Sequence, residues 1–362
     1  MTTKSSLRTS HPYYMYDCIQ DTPNAIREVL ESQQTAVKAL GDRIRDARNV
    51  HIVGIGTSFH AALVGEYLLR MVAEVDNARA WNSFEFHSFP PLLIADDVVI
   101  VMSHRGMKRY SLWSLEQAKK SGAYTAIITG KNSKARRDLA DAVIETSYQD
   151  KSSAFTISHS AAMTALAMLA LEAGEGSELL GNADMQALPN QVAAELRKEL
   201  QVQAIAKALK GASRWVFAGW GPNSATAYEV ALKINEAAYL ATNGYQLEYF
   251  FHGPFVATSQ GVVVCLIAPP GKGYDRAVQL AKSSKETGAT VVALVQEGDE
   301  EMSRIADYTL TLAPTPKYLT PIVYLAPLQL LTYWLALELG KNPDTFRLNE
   351  PRHMAAMKPV EL

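Results

Sequence analysis

The most informative stretch of this chain is Val50-His-Ile-Val-Gly54-Ile-Gly56-Thr57-Ser58, in which an apolar run enters a Gly-x-Gly turn. A second stretch, Trp215-Val-Phe-Ala-Gly219-Trp-Gly221-Pro-Asn223-Ser224, has the same form, and 219 minus 54 gives an offset of 165. Two further pairs follow in the same order. The run Val98–Met102 before Gly106 matches Val262–Leu266 before Gly271, with 165 residues between the two glycines, and Gly122 matches Gly288 at an offset of 166. A long period of this kind indicates two copies of one domain, because solenoid repeats are much shorter.

Short β-branched runs alternate with amphipathic helical patterns within each copy. Continuous apolar runs such as Val98–Met102 are typical of strands buried on both faces of a parallel sheet. We therefore predict an α/β fold of two tandem doubly wound, flavodoxin-like αβα sandwiches with parallel sheets, followed by an irregular tail. The predicted parts are a leading helical region (1–45, its helix at 24–48), a first sandwich (46–180), a linker and helix (181–205), a second sandwich (206–340) and the tail (341–362).

Composition and charge exclude several classes of protein. The chain has 48% hydrophobic and 20% charged residues, which is ordinary for a globular protein. Its 35 basic and 37 acidic residues give a net charge of −2, so no basic field favours nucleic acid. Cys18 and Cys265 lie far apart and no apolar leader is visible, so we expect a cytoplasmic protein without disulfides or a metal site. The uncharged stretch 321–337 is slightly short for a membrane span, and we predict a buried core helix there.

Several turns in the first copy could hold an anion. After the first strand, Gly56, Thr57 and Ser58 would place hydroxyls and free amides at a helix N-terminus, although a plain helix cap has the same pattern. The next strand ends in Ser103-His104-Arg105-Gly106-Met107-Lys108, where a guanidinium and an ammonium surround a glycine turn. Ser158 opens a later apolar helix and is also either a cap or a ligand. Three such turns in one domain favour anion binding more than each does alone.

The second copy lacks these turns and gathers ionisable residues on a helix. Glu229, Lys233 and Glu236 are spaced i, i+4 and i+7 and so share one face. A solvated stripe is the alternative, but the flanking residues are apolar and leave little of this helix for solvent. A carboxylate and an ammonium in such surroundings need partners, which is typical of a functional site. His252 follows sixteen residues after Glu236.

These residues together resemble a known family. The chain is similar, over nearly its whole length, to the tandem sugar isomerase (SIS) domains of the glutamine–fructose-6-phosphate amidotransferase family. The segments that carry the resemblance are Met15–Pro23, Gly54–Ala61, Ser83–Phe86, Ala231–Glu236, His252–Pro254 and Pro351–Arg352. The spacing between Glu236 and His252 agrees with the family's acid–base pair.

The resemblance implies a hexose 6-phosphate site that uses no cofactor or metal. Glu236 would move a proton between C1 and C2, accompanied by Glu229 and Lys233, and His252 would open the sugar ring from the neighbouring subunit of a homodimer. The turns of the first copy would hold the phosphate, and the tail would close the site. The substrate-binding residues are then expected to be Gly56, Thr57, Ser58, Ser103, His104, Arg105, Lys108, Ser158 and Lys358.

Departures from the family pattern shape the functional prediction. We expect no glutaminase domain with its cysteine nucleophile before the sugar isomerase part, since the sequence begins Met1-Thr2. The family's Ser-x-Ser-Gly-x-Thr loop becomes Ser103–Lys108, with cations at two hydroxyl positions, and the tail lysine falls at Ala356, so that Lys358 is the nearest substitute. We therefore predict a phosphosugar isomerase that couples isomerisation of an amino sugar phosphate, or of an amine-substituted fructose 6-phosphate, to deamination or deglycation.

Two other functions stay open at this point. One is a regulator that binds a sugar phosphate without catalysis, which the altered loop and the shifted lysine favour. The other is a glucosamine-6-phosphate synthase that takes ammonia from solution or from a separate glutaminase.

Overall fold

The computed structural model describes residues 7–174 and 176–360, so residues 1–6, 175, 361 and 362 lie outside the description. The chain forms two compact units. The first consists of residues 21–150, 155–189 and 352–360, and we call it the β1–β5 unit. The second consists of residues 7–20, 151–154 and 190–351, and we call it the β6–β10 unit. The domain boundaries given above stay a prediction.

The β1–β5 unit contains one parallel sheet of five strands. The strands are β1 (Asn49–Gly54), β2 (Ala78–Asn82), β3 (Asp97–Met102), β4 (Tyr124–Thr129) and β5 (Ala142–Glu145), and their order in the sheet is β2-β1-β3-β4-β5. Every residue of β3 is buried, as its continuous apolar run predicts. The strand order reverses direction between β1 and β3, and ligands of doubly wound sheets bind at the carboxyl ends of strands at such a point.

The β6–β10 unit repeats this arrangement. Its strands are β6 (Arg214–Gly219), β7 (Thr242–Gln246), β8 (Val262–Ala268), β9 (Thr290–Gln296) and β10 (Tyr308–Leu312), in the parallel order β7-β6-β8-β9-β10. A Cβ on Gly54 would clash with the backbone of Ser58, and one on Gly219 would clash with the backbone of Asn223. Both copies therefore use glycine where the following helix passes directly against the strand end, and the predicted tandem doubly wound fold is confirmed.

Helices cover the sheets of both units. In chain order they are α1 (Tyr14–Gln20), α2 (Thr22–Ser32), α3 (Gln34–Arg45), α4 (Thr57–Met71), α5 (Ser83–Ser88), α6 (Arg109–Lys120), α7 (Ile157–Ala173), α8 (Asn182–Leu196), α9 (Glu199–Leu209), α10 (Asn223–Ala237), α11 (Leu247–Phe251), α12 (Tyr274–Glu286), α13 (Glu300–Ile305), α14 (Thr320–Val323), α15 (Leu325–Glu338) and α16 (Pro351–Met357). Short 3₁₀ turns lie at Arg137–Leu139 and Pro254–Ala257.

Two local expectations differ from the structure. The single leading helix predicted over 24–48 is two helices, α2 and α3, which break at Gln33. The side-chain oxygen of Gln33 accepts a hydrogen bond of 2.9 Å from the backbone N–H of Glu145, so a distant strand fixes the break. The tail is not wholly irregular, because α16 forms within it.

The apolar stretch near the end of the second copy forms α14 and α15. The segment Thr320–Glu338 is long and apolar enough to cross a membrane by length and composition, and 89% of its apolar window is buried inside the protein. It packs against α9 and α10 within the β6–β10 unit. The stretch therefore serves as the predicted core helix.

Candidate functional site

A cavity opens at the carboxyl ends of β1 and β3, at the point where the strand order reverses. It is lined by Thr57, Ser58, Ala61, Met102, Ser103, His104, Ile128, Thr129, Thr146, Phe155, Ser158, His159 and Ala162. All of these residues belong to the β1–β5 unit. The cavity brings together five residues that the sequence singled out from three separate turns, Thr57, Ser58, Ser103, His104 and Ser158.

Two helices begin at this cavity, α4 at Thr57 and α7 at Ile157. Gly56 precedes α4 with φ of +58°, a left-handed conformation that favours glycine, and Thr57 and Ser58 are partly buried behind it. The first amides of a helix have no intrahelical acceptor, and the helix dipole adds partial positive charge there. Both helix ends therefore favour a negatively charged group in the cavity.

The loop after β3 supplies an unsatisfied donor to the same cavity. Ser103 is only 3% exposed, and its hydroxyl has no hydrogen-bond partner among the described residues. Gly106 closes the loop with φ of +66° and donates its N–H to the Ser103 carbonyl at 3.0 Å. A buried hydroxyl without a partner is costly unless a ligand or water satisfies it. Ser103 is thus placed to bind whatever enters.

A residue that sequence reasoning missed stands directly behind Ser158. The Asp150 carboxylate is fully buried and accepts a hydrogen bond of 2.6 Å from the Ser158 hydroxyl. The same carboxylate lies 3.8 Å from Nε2 of His104. In the sequence Asp150 sits in a polar run before Ser152 and Ser153, and this run was the signal that could have drawn attention to it.

The imidazole of His104 is buried, packs edge-on against Phe155 and is neutral in this environment. Burial and, to a smaller extent, the nearby charge of Arg105 lower the pKa of His104 from 6.5 to about 4, and a hydrogen bond with the backbone of Tyr148 partly opposes them.

This shift predicts that the protein loses stability in mild acid. Because the unfolded chain protonates His104 near pH 6.5 and the folded chain only near pH 4, the free energy of unfolding falls as pH drops through that window, by roughly 3 kcal/mol in full. Urea unfolding of wild type between pH 7.5 and 4.5 checks the slope. His104→Gln should flatten it, whereas the exposed His252→Gln should not, and equal slopes in all three proteins would contradict the assignment.

The cations of this loop lie outside the cavity lining. Arg105 is exposed; its guanidinium lies 4.6 Å from the ring centroid of Phe155 and donates to the Asp150 carbonyl at 3.4 Å. Lys108 is partly buried at the N-cap position of α6. Neither side chain is a cavity-lining group in this structure, and a role for either in binding stays a prediction.

Helix α10 holds the ionisable cluster of the β6–β10 unit. Lys233 is almost fully buried and forms ion pairs with Glu236 and with Glu229, the latter at 3.7 Å. Glu229 is fully buried, whereas the Glu236 side chain is 12% exposed. The spacing along α10 places the three groups on one face, and Lys233 contacts both carboxylates. The accessible carboxylate is therefore Glu236, held beside a buried ammonium.

His252 lies apart on the surface of the same unit. Its side chain is 74% exposed, and Nε2 is 3.2 Å from Oε1 of Glu248. Arg276 binds both oxygens of Glu248 at 2.8 Å, and this ion pair lowers the pKa of the Glu248 carboxyl. Within this unit the structure gives His252 no contact with Glu236.

The tail is anchored close to the end of α10. The hydroxyl of Tyr239 bonds Thr345 Oγ1 at 2.8 Å and accepts from the Arg347 N–H at 3.0 Å, while the Arg347 guanidinium lies 5.1 Å from the ring centroid. Lys358 follows α16 and is exposed. Among the described residues, no group of three or more His, Cys, Asp or Glu side chains could hold a metal ion.

The fold defines a doubly wound α/β protein built from two copies of one domain, the first with a strand-end cavity. The SIS domain model matches residues 43–172 and 208–339, so the chain belongs to the SIS domain family.

Two named relatives align with almost the whole chain. The glutamine–fructose-6-phosphate aminotransferase (isomerizing) of Thermococcus kodakarensis is 30% identical over 99% of this chain and 60% of its own length, and that of Thermus thermophilus is 28% identical over 99% and 61%. The chain therefore spans about three fifths of these relatives.

Solved structures share the fold. The C-terminal domain of glucosamine-fructose-6-phosphate aminotransferase from Francisella tularensis has a TM-score of 0.85 at 20% identity, covering 92% of this chain and 99% of that one. A glucosamine-6-phosphate deaminase from Thermotoga maritima has a TM-score of 0.77 at 21% identity, covering 92% and 97%. Tagatose-6-phosphate ketose/aldose isomerase from Escherichia coli has a TM-score of 0.79 at 19% identity, covering 94% and 96%.

Proposed function

We propose that this protein is a phosphosugar isomerase that acts on an amino sugar phosphate or an amine-substituted fructose 6-phosphate and releases the amine. The observation that carries the proposal is the contact of Glu236 with buried Lys233, because it supplies a carboxylate that is accessible and oriented. The names of the relatives support the substrate class, since they include an aminotransferase, a deaminase and an isomerase of sugar phosphates.

The proposed chemistry needs only proton transfer and water. With glucosamine 6-phosphate in its open form, Glu236 removes the proton on C2, and the electron pair moves toward the C1 carbonyl oxygen, which takes up a proton. Return of the Glu236 proton to C1 leaves C2 double-bonded to its nitrogen as a protonated imine. Water then adds to the imine carbon, ammonia leaves, and fructose 6-phosphate remains. With an amine on C1 of fructose 6-phosphate, Glu236 moves a proton in the opposite direction, from C1 to C2.

Other groups have proposed roles within their own units. The cavity of the β1–β5 unit takes the phosphate, with Ser103 as a donor and the two helix N-termini as dipoles. Glu229 and Lys233 orient the base, and no cofactor takes part. His252 opens the ring, and its 74% exposure suits delivery to a neighbouring subunit of a homodimer. Lys358, Arg105 and Lys108 would contribute once the tail and the substrate are in place. The reaction would run in the cytoplasm.

The test is release of amine from a panel of substrates. Ammonia is measured with glucosamine 6-phosphate, and free amino acid with fructose 6-phosphate amine adducts, each with chromatographic detection of the hexose 6-phosphate. We expect turnover with at least one member and its loss in Glu236→Gln. Failure across the panel, together with tight binding of sugar phosphates in a thermal-shift assay, would replace the proposal by the regulator.

Two alternatives rest on specific observations. The regulator is favoured by the loop Ser103–Lys108, where cations stand at two positions that hold hydroxyls in the family that the chain resembles. An ammonia-dependent glucosamine-6-phosphate synthase is favoured by relatives named as aminotransferases, of which the chain spans about 60%. Incubation of fructose 6-phosphate with ammonium chloride tests the synthase when it is run beside the release of ammonia from glucosamine 6-phosphate. The two reactions are the reverse of each other, so the synthase is supported where formation of glucosamine 6-phosphate is the faster one and the amine adducts of fructose 6-phosphate release no amino acid.

A further inference from the structure

The cavity of the β1–β5 unit combines features that attract an anion with one that repels it. Two helix N-termini and the free Ser103 hydroxyl favour negative charge. The Asp150 carboxylate, however, is fully buried and accepts a hydrogen bond from Ser158, a residue that lines the cavity. A phosphate that contacts Ser158 therefore comes close to a second negative group in surroundings that screen charge poorly.

The direction of the Ser158 hydrogen bond matters as much as the charge. A carboxylate only accepts hydrogen bonds, so the Ser158 hydroxyl donates its hydrogen to Asp150 and offers the cavity only lone pairs. In this state Ser158 cannot donate to a phosphate oxygen. The Ser158 hydroxyl can donate to a ligand only when its hydrogen bond to Asp150 is released.

His104 is placed to change that state. Its Nε2 accepts a long hydrogen bond of 3.5 Å from the Asp150 backbone N–H and lies 3.8 Å from the Asp150 carboxylate, and His104 also lines the cavity. Other titratable or charged side chains near this pair are Arg105, which stacks on Phe155 and whose charge interacts with that of Asp150, and His159, which lines the cavity from α7. Of the adjoining segments, Lys131 pairs with Glu28 and Lys151 lies 5.6 Å from the ring centroid of Tyr14.

We propose that the His104–Asp150 pair takes up one proton from solvent when a phosphate group enters the cavity, and that Ser158 then turns its hydroxyl to donate to the anion. The inference rests on the proposed function, because it takes the cavity as a phosphate site. A proton shared by the pair offsets the buried negative charge of Asp150, and the imidazolium takes the place of the Ser158 hydroxyl among the partners of Asp150. The lowered pKa of His104 leaves its imidazole without this extra proton at neutral pH before a ligand binds. Phosphate binding is thus linked to pH through residues that do not belong to the catalytic cluster on α10.

Calorimetry in buffers of different ionisation enthalpy measures the proton directly. We use fructose 6-phosphate as one probe and inorganic sulfate as the other, because sulfate is a dianion that carries no proton of its own in this pH range. Wild type is expected to take up about one proton per ligand near pH 7, and its affinity is expected to fall by up to about tenfold per pH unit above that. Both probes should show the same uptake.

Variants assign the proton to the pair. Asp150→Asn should bind both probes with no uptake and with an affinity that no longer falls above pH 7, and Ser158→Ala should reduce the uptake because it removes the link to the anion. Asp138→Asn, an exposed carboxylate of the same unit, is the matched control and should behave as wild type. His104→Gln provides a second variant if Asp150→Asn fails to fold.

The outcomes distinguish failure of the proton-uptake inference from failure of the proposed function. Uptake that persists in Asp150→Asn or His104→Gln, or binding of sulfate by wild type without uptake, would overturn the inference and leave the proposed function standing. Binding of neither probe by folded wild type would overturn the cavity as a phosphate site and the inference with it. Proton uptake without amine release would retain the inference and remove only the catalytic proposal.

Discussion

Replacing Glu236 by glutamine is expected to slow hydrogen exchange at C1 and C2 of a bound sugar phosphate by about 10²–10⁴-fold, the usual contribution of a positioned general base. An amide of the same shape cannot accept the carbon-bound proton. Incubation of fructose 6-phosphate and of glucosamine 6-phosphate with the enzyme in deuterated water, followed by NMR, measures the exchange. Because the Glu236 side chain is 12% exposed and Lys233 keeps Glu229 as a partner, the variant should remain folded.

A matched control separates loss of the base from a general effect of charge. Glu301→Gln removes an exposed carboxylate of the same unit, one that pairs with Lys282 on the surface. It should exchange at the wild-type rate. Equal rates in wild type and Glu236→Gln would show that Glu236 is not the proton-transfer group for these substrates.

The architecture could be predicted because its signals are local and repeated. The glycine turns at Gly54 and Gly219 and the apolar runs of β3 and β8 recur at one offset, and each signal depends on residues only a few positions apart. The shared face of α10 followed for the same reason, since helical periodicity alone places Glu229, Lys233 and Glu236 side by side. The structure adds which of the three carboxylate and ammonium groups solvent reaches.

What the sequence could not supply depends on contacts between distant positions. Asp150 meets His104 and Ser158 only because the loops after β3 and β5 and the start of α7 converge at one strand edge. The break at Gln33 likewise depends on a hydrogen bond to a residue on β5. Periodicity carries no information on either contact, because both are set by loop conformation rather than by a repeating face.

The sequence pattern also could not predict that the His252 side chain is exposed. Its neighbours Phe250, Phe251 and Phe255 are apolar, which suggests a buried environment, yet α11 turns Phe250 into the core and leaves His252 in solvent beside Glu248. A single short helix decides this orientation, and five residues are too few for a reliable amphipathic pattern.

Replacing Lys233 by methionine is expected to lower the free energy of unfolding by about 3–5 kcal/mol, the cost of leaving a buried charge without its partner. Lys233 is 1% exposed and pairs with two carboxylates, of which Glu229 is fully buried. Without the ammonium, the two like charges remain on one helix face with little solvent to screen them. Urea unfolding at neutral pH, with circular dichroism as the signal, measures the loss.

A double variant and a surface control show whether the loss of stability comes from the buried carboxylate that Lys233→Met leaves without its ammonium. Glu229→Gln/Lys233→Met removes the stranded carboxylate together with the ammonium, so it should recover a large part of the stability that Lys233→Met loses, and the two substitutions should be strongly non-additive. Lys282→Met deletes one partner of an exposed pair and should change stability by less than about 1 kcal/mol. A Lys233→Met protein as stable as the Lys282→Met control would mean that the cluster on α10 is hydrated, and Glu236 would then lack the fixed, desolvated partner on which its role as a base depends.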